Sequence, residues 1–405
     1  MKSTILCGAG DRLGIVPAPQ LIPTTLADVP GVFHASVRSS YGPAGGVGWT
    51  ADDAISAAVA EALERFAAAS IDLPTVDPAT TTRTYDLAEF ALLSADQQRH
   101  PNAPWREPAR PAYVTGYRLH DDAVVAVPRL AVGLNDPDGT GVATSNGLAA
   151  GPSLETAVER ALQEVIERDA LMIAWLHGLT FPAVALPYHL DRLVSPLNAN
   201  VRVVDITPTY SAWPVVAVCG SLPWRGRPRI GMGAACRPTF EAALEKAFLE
   251  WTQATLYVGV QMQFGNTKDF VGPNEVTTFE DHALYYSAHP QQWARVPLVR
   301  GPQPSPTGQG QGQGQGQGSG VASTARQVVR LNAAGFDVVA VRFEAPDLEE
   351  IGLSVVRVLV PGLTSVNADH RWPLLGGETA NWRRRFPDNS GPTVAFPSPY
   401  PHPLG

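Results

Sequence analysis

Three stretches of this 405-residue sequence place acids where a helix is otherwise apolar. Glu61, Glu64 and Arg65 fall in Glu-Ala-Leu-Glu-Arg, and Glu164, Glu167 and Arg168 in Glu-Val-Ile-Glu-Arg. Glu250 and Gln253 fall in Glu-Trp-Thr-Gln. A spacing of three puts each pair on one helical face, and an arginine at i+4 reaches back to the first glutamate. Their neighbours Val59, Leu63, Phe66, Leu162, Val165 and Ile166 are apolar. Read singly, each stretch is a surface ion pair contributing about 0.3–0.5 kcal/mol. Read together, the carboxylates face one cleft and repel each other unless a hard cation neutralises them. Mg2+ takes a few carboxylates, keeps water and completes its octahedron with substrate phosphates. The pattern therefore suggests a metal–polyphosphate site.

The elements that must carry these residues are legible. Thr50 caps a helix with Asp52 and Asp53 in its first turn, and an Ala-rich run continues to Ser70. Ser153 opens a second helix to about Trp175 and Pro238-Thr239 a third to about Tyr257; a shorter one covers Val321 to Ala334 and stops at Gly335. Met172, Trp175 and Phe248 read as core at helical spacing. Short β-branched runs lie between the helices: Val124–Val132, Val201–Ile206, Val215–Cys219, Ile230–Ala235, Phe336–Phe343 and Ser354–Val360. The alternation predicts a mixed α/β (α+β) protein with helices packed on mixed sheets.

Composition closes off several classes. No apolar run approaches the ~18 residues of a membrane span, and the first ten residues are too short for a secretory core; both point to the cytoplasm. A net charge of -8 speaks against non-specific nucleic-acid binding. Of the 30 basic residues only Lys2, Lys246 and Lys268 are lysines, and none follows the glycine spacing of a P-loop. Three cysteines build neither a disulfide framework nor a four-cysteine zinc site, and Cys219 and Cys236 read as buried thiols. There is no Gly-x-Ser-x-Gly elbow. Residues 301–320 form a Gly/Gln tract with nothing apolar to bury, expected to be a flexible insertion within one domain spanning 1–405.

The most specific stretch is Ser145-Asn146-Gly147-Leu148-Ala149-Ala150-Gly151, followed by Ala161-Leu162-Gln163-Glu164-Val165-Ile166-Glu167-Arg168-Asp169-Ala170. It closely resembles the signature of the YcaO family. The upstream Ala-Leu-Glu-Arg helix, the Glu250/Gln253 helix and Val355–Gly362 follow in the family's order, so the resemblance covers roughly residues 40–405. It implies the YcaO-like fold, with an internal quasi-repeat, and an ATP-dependent enzyme acting on peptide backbones. By that likeness Glu61, Glu64, Glu164, Glu167 and Glu250 hold Mg2+, while Arg65, Arg168 and Arg357 stabilise phosphate charge. Ser145, Asn146 and Gln253 become polar contacts to ATP. Two positions depart from the pattern. Many members carry Lys where Gly45-Gly46-Val47-Gly48 has Val47, and many carry Ser where Ala57 stands.

The end of the chain, Phe396-Pro397-Ser398-Pro399-Tyr400-Pro401-His402-Pro403-Leu404-Gly405, alternates proline into a stiff extended segment with few donors. It resembles the Pro-x-Pro-x-Pro ending of azoline-forming YcaO proteins, whose terminus reaches the active site. Pro397, Pro399, Pro401, His402 and Gly405 of the tail, residues 392–405, are thus expected at the catalytic centre, with His402 or the terminal carboxylate as base. The resemblance implies a cyclodehydratase that converts Cys, Ser or Thr of a ribosomal precursor peptide to azolines. Its partners would be that peptide and a separate leader-binding protein of the E1-like (ThiF-like) kind, and it leans towards a homodimer. Thioamidation by the same ATP chemistry, or a non-catalytic peptide-binding scaffold, are the alternatives.

Overall fold

The computed structural model describes residues 5–10, 14–106, 108, 111–134, 144–303 and 323–405. Most of the Gly/Gln tract, residues 304–320, lies outside the described residues, as do Val321 and Ala322 at the expected start of the last helix.

Three long helices dominate: α1 (Ala51–Ser70), α2 (Leu154–Leu176) and α3 (Phe240–Gln263). Two shorter ones follow, α4 (Phe279–Ala288) and α5 (Thr324–Ala333). Each long helix starts from a hydroxyl cap. Thr50, Ser153 and Thr239 accept the backbone N–H of Asp53, Thr156 and Ala242, an arrangement whose loss costs about 1 kcal/mol at a typical cap. The third helix runs two turns past the expected Tyr257, because Val258 and Gly259 pack inside, and it ends before Gly265, which takes a left-handed φ of +73°.

Three sheets carry these helices. β1 (Gln20–Ile22), β2 (Phe33–Ser39) and β3 (Gly42–Gly48) form an antiparallel sheet. A six-stranded mixed sheet follows the order β4 (Arg83–Thr84), β6 (Ala123–Pro128), β5 (Tyr113–Arg118), β12 (Val339–Phe343), β13 (Ser354–Leu359), β7 (Leu148–Gly151). Only its β4–β6 pair is parallel. The third sheet runs β11 (Arg227–Cys236), β10 (Val215–Trp224), β9 (Asn200–Asp205), β8 (Ala183–Val184). The sequence-based strand at Val124–Val132 ends at Pro128 and turns into a short 3-10 segment.

The quasi-repeat is a unit of strand, hydroxyl cap and helix: β3 into α1, β7 into α2, β11 into α3. In the first and third units an antiparallel hairpin precedes the cap. The helices lie very close to their strands, and small residues permit it. A Cβ at Gly46 would meet Ala54 O at 2.0 Å, and one at Gly233 would meet Ala247 O at 2.2 Å. The glycine-rich stretch before the first helix is therefore a strand rather than a loop, and Val47 points into the apolar cluster around Phe248 and Trp251. α2 is the most enclosed helix, with Met172, Trp175 and Leu176 all in the core. No helix among the described residues is long and apolar enough to cross a membrane.

Gly46→Ala should push α1 off β3 and lower unfolding free energy by about 1–3 kcal/mol. Gly272→Ala, where an added Cβ meets nothing within 4 Å, should change it by less than about 0.5 kcal/mol. Urea unfolding of both variants checks the contrast.

Candidate functional site

The close helix–strand packing brings the glutamates to strand backbones. Glu61 Oε2 accepts the Gly45 N–H (2.8 Å) and Glu64 Oε1 the Ala150 N–H (2.7 Å). Glu164 Oε2 accepts from Gly147 (3.2 Å) and Glu167 Oε2 from Cys236 (3.3 Å). The acids of α1 thus join β3 to β7, and those of α2 join the β7 end to β11. Glu250 faces the same group from α3, paired with Lys246 at 3.2 Å. Each carboxylate feels its neighbours: Glu61 and Glu164 act on Glu64, and Glu250 acts on both Glu164 and Glu167.

Burial and like charge disfavour ionisation here. Burial pushes the Glu64 carboxyl up to about 8, and Glu61 and Glu164 add to it against the Ala150 hydrogen bond. Burial raises Glu164 and Glu167 as well, with Arg168 opposing in both cases. Arg168 sits between them, 3.2 Å from Glu167 and 3.7 Å from Glu164. Burial opposes its charge, but Glu167, Glu164 and Glu250 together keep the guanidinium protonated. Burial lowers Arg357 to about 10, with Glu164 its counter-charge.

Several polar atoms at this site are buried and unpartnered: Arg65 Nε, Arg357 Nε, Asn146 Oδ1 and Glu167 Oε1, the last near Arg168 but poorly aligned for a hydrogen bond. Arg65 holds Glu61 at 2.6 Å and the Pro43 carbonyl, and Arg357 holds the Thr144 carbonyl at 2.5 Å. Gln253 reaches over from α3, so that a Cβ at Gly45 would overlap its Nε2 at 2.4 Å. Ser145 is exposed in the turn that opens β7, with its carbonyl taken by Leu148 N–H. Among the described residues no three His, Cys, Asp or Glu side chains form a ready-made metal cage. The acids are strung along a face instead. Orphaned donors and acceptors beside under-neutralised hard oxygens suit a divalent cation bound together with a polyanion.

Three further cations belong to the group. Arg160 acts on Glu64 and donates to the Ala150 carbonyl at 2.9 Å, Arg237 acts on Glu167, and Lys246 pairs with Glu250. Arg160 and Lys246 each stand four residues before a site glutamate, a spacing that signals them in the sequence. Arg237 follows the end of β11 and carries no such signal.

The proline-rich tail divides. Pro397 and Pro399 are exposed, while Pro401 and His402 are buried. Trp175 Nε1 donates to the Tyr400 carbonyl (2.7 Å), Tyr286 Oη to Pro401 (2.6 Å) and His282 Nδ1 to His402 (2.7 Å). His402 has Arg168 among its electrostatic neighbours. Gly405 lies instead against Phe279 and Ala283 of α4.

Residues 45–364 match the family model described as YcaO cyclodehydratase, ATP- and Mg2+-binding. The chain therefore belongs to the YcaO family, an ATP-dependent enzyme type whose cofactors are ATP and Mg2+. It is similar in structure to a heterocyclase in complex with substrate and cofactor (TM-score 0.70, 18% identity), covering 96% of this chain and 57% of that one. A second likeness is to YcaO from Methanopyrus kandleri bound with AMPPCP and Mg2+ (TM-score 0.58, 20% identity, 93% and 90% covered). A third is to the E. coli microcin synthetase McbBCD complex (TM-score 0.63, 14% identity, 91% and 96% covered). At these identities the likeness is one of fold, and this chain spans little more than half the length of the first. No curated protein sequence matches it significantly.

Glu64 titrates near 4.5 when unfolded and about 8 when folded, so its contribution to stability is lost as pH rises between those values. Glu64→Gln should raise the melting temperature of the ligand-free protein at pH 8 and leave it nearly unchanged at pH 4.5. Calorimetric melts at the two pH values check the sign.

Proposed function

We propose that this chain is an ATP- and Mg2+-dependent cyclodehydratase. It would convert Cys, or Ser and Thr, of a ribosomal precursor peptide to thiazolines or oxazolines, working with a separate leader-binding partner of the E1-like (ThiF-like) kind. The observation that carries this reading over other ATP chemistries is the seat of the proline-rich tail, whose His402 is buried and feels the charge of Arg168 in the glutamate site.

In this reading Glu61, Glu64, Glu164, Glu167 and Glu250 hold Mg2+, with phosphate oxygens and water completing coordination that the strung-out acids leave open. Bound there, the metal neutralises phosphate charge. Arg65, Arg168 and Arg357 bind the phosphates and meet the charge that develops during transfer, as a guanidinium fork does well. Their unpartnered N–H groups at Arg65 and Arg357 support that assignment. Asn146, Ser145 and Gln253 orient the nucleotide. Val47, directed into the apolar cluster, leaves the lysine's work to the arginines; Arg160 is the cation whose charge acts on Glu64. Bound there, ATP would supply a phosphoryl group, with ADP released, to the oxyanion formed when the substrate thiol or hydroxyl gives up its proton and adds to the preceding carbonyl carbon; loss of the amide proton and of phosphate with the C–O electron pair would then leave the ring.

Incubation with a Cys-rich precursor peptide, its partner and Mg-ATP should remove one water per ring, read by mass spectrometry. Exchange of oxygen for sulfur would mean thioamidation, and an unchanged peptide with no phosphate released would mean a scaffold. Deleting residues 398–405 should slow ring formation roughly 100-fold, the scale of a misplaced catalytic group, while far-UV circular dichroism stays native.

A further inference from the structure

The tail's hydrogen bonds define a register. Prolines at 397, 399, 401 and 403 remove donors, so the segment offers mainly carbonyls. Three consecutive carbonyls, of Tyr400, Pro401 and His402, each accept from a different side chain: Trp175 on α2 and Tyr286 and His282 on α4. Ser398 N–H adds a bond to the Leu176 carbonyl at 2.7 Å. A slip of one residue would break all of these. Such a fixed register delivers one particular side chain, and that side chain is His402.

His402 is 2% exposed, and its ring stacks on His282 at 3.7 Å and 4°. Its Nε2 lies 2.8 Å from the Asn367 carbonyl. A carbonyl only accepts, so Nε2 carries the hydrogen and Nδ1 is left with a bare lone pair. That nitrogen is buried and has no partner. A packing role would be served by a ring with both nitrogens satisfied, or by an apolar side chain. Gly405 sits against Phe279 and Ala283 of α4.

Resting on the cyclodehydratase reading, we infer that His402 Nδ1 accepts the substrate's amide proton in the ring-closing step. In that step the amide nitrogen's N–H pair becomes the second bond of C=N, the carbon–oxygen bond to the phosphorylated oxygen breaks, and phosphate leaves with that electron pair. The proton passes to Nδ1, and ATP has already supplied the phosphoryl group, so nothing else is consumed. Burial, reinforced by His282, His370 and Arg168, lowers His402 well below the usual histidine range, which keeps Nδ1 bare at neutral pH.

The test is His402→Ala and His402→Gln, assayed with precursor peptide, partner and Mg-ATP for rings formed and phosphate released. The glutamine amide preserves a donor to Asn367 but has no basic nitrogen, so it keeps the seat and removes the chemistry. Both variants should form rings about 100-fold more slowly, the lower end of general-base effects. Phosphate released per ring should rise, and added imidazole should restore ring formation in the alanine variant. Full ring formation by the glutamine variant, or rings and phosphate falling in step with no imidazole rescue, would overturn the inference. A wild-type protein that forms no ring at all defeats the cyclodehydratase reading itself, a separate result.

Discussion

Four buried or half-buried carboxylates, each fixed by one backbone N–H of a strand or its leading turn, are the constraint on which this fold turns. Glu61 is tied to β3, Glu64 and Glu164 to β7 and the turn before it, and Glu167 to the end of β11. Those strands belong to three different sheets. A carboxylate can reach a strand amide only if the helix lies almost on the strand, which is why Gly46 and Gly233 have no room for a side chain. One oxygen of each acid is thereby spent on architecture, while the second oxygen of Glu61 meets Arg65 and those of Glu164 and Glu167 face Arg168. The cost is a group of like charges in a poorly solvated place, felt as the upward shift of Glu64, Glu164 and Glu167. Such tension persists where function requires it, and ATP with Mg2+, the cofactors of the family, would relieve it.

Much of this was legible in the residues. Hydroxyl caps at Thr50, Ser153 and Thr239 mark the helix starts, and Glu-x-x-Glu-Arg spacing marks the face that matters. Gly42–Gly48 was not legible as a strand, because glycine weakens every strand signal. What makes it one is pairing with β2 and contact with α1, both of them tertiary. The end of α3 was missed for a related reason: Tyr257 is partly exposed and Val258 buried, so the apolar stripe continues past the point where the pattern fades. Arg237 joins the site only because β11 ends there.

The tail shows the same division. Alternating prolines announce a stiff, donor-poor segment, and resemblance supplies the direction in which it points. The partners that hold it come from far along the chain: Trp175 is 225 residues from Tyr400, and His282 is 120 from His402. Trp175 reads as core from its spacing and is core, yet its indole N–H also holds a tail carbonyl. Sequence patterns report burial well and the second use of a buried polar atom poorly.

If glutamates from separate helices act together as the metal–phosphate site, removing any one of them must weaken Mg2+-dependent nucleotide binding. Calorimetric titration with a non-hydrolysable ATP analogue, with and without Mg2+, tests it most directly on the wild type and on Glu61→Gln and Glu164→Gln. Mg2+-dependent binding should be present in the wild type and lost, or weakened at least about tenfold (1.4 kcal/mol), in each variant while both stay folded. Unchanged Mg2+-dependent affinity in the two variants would contradict the account.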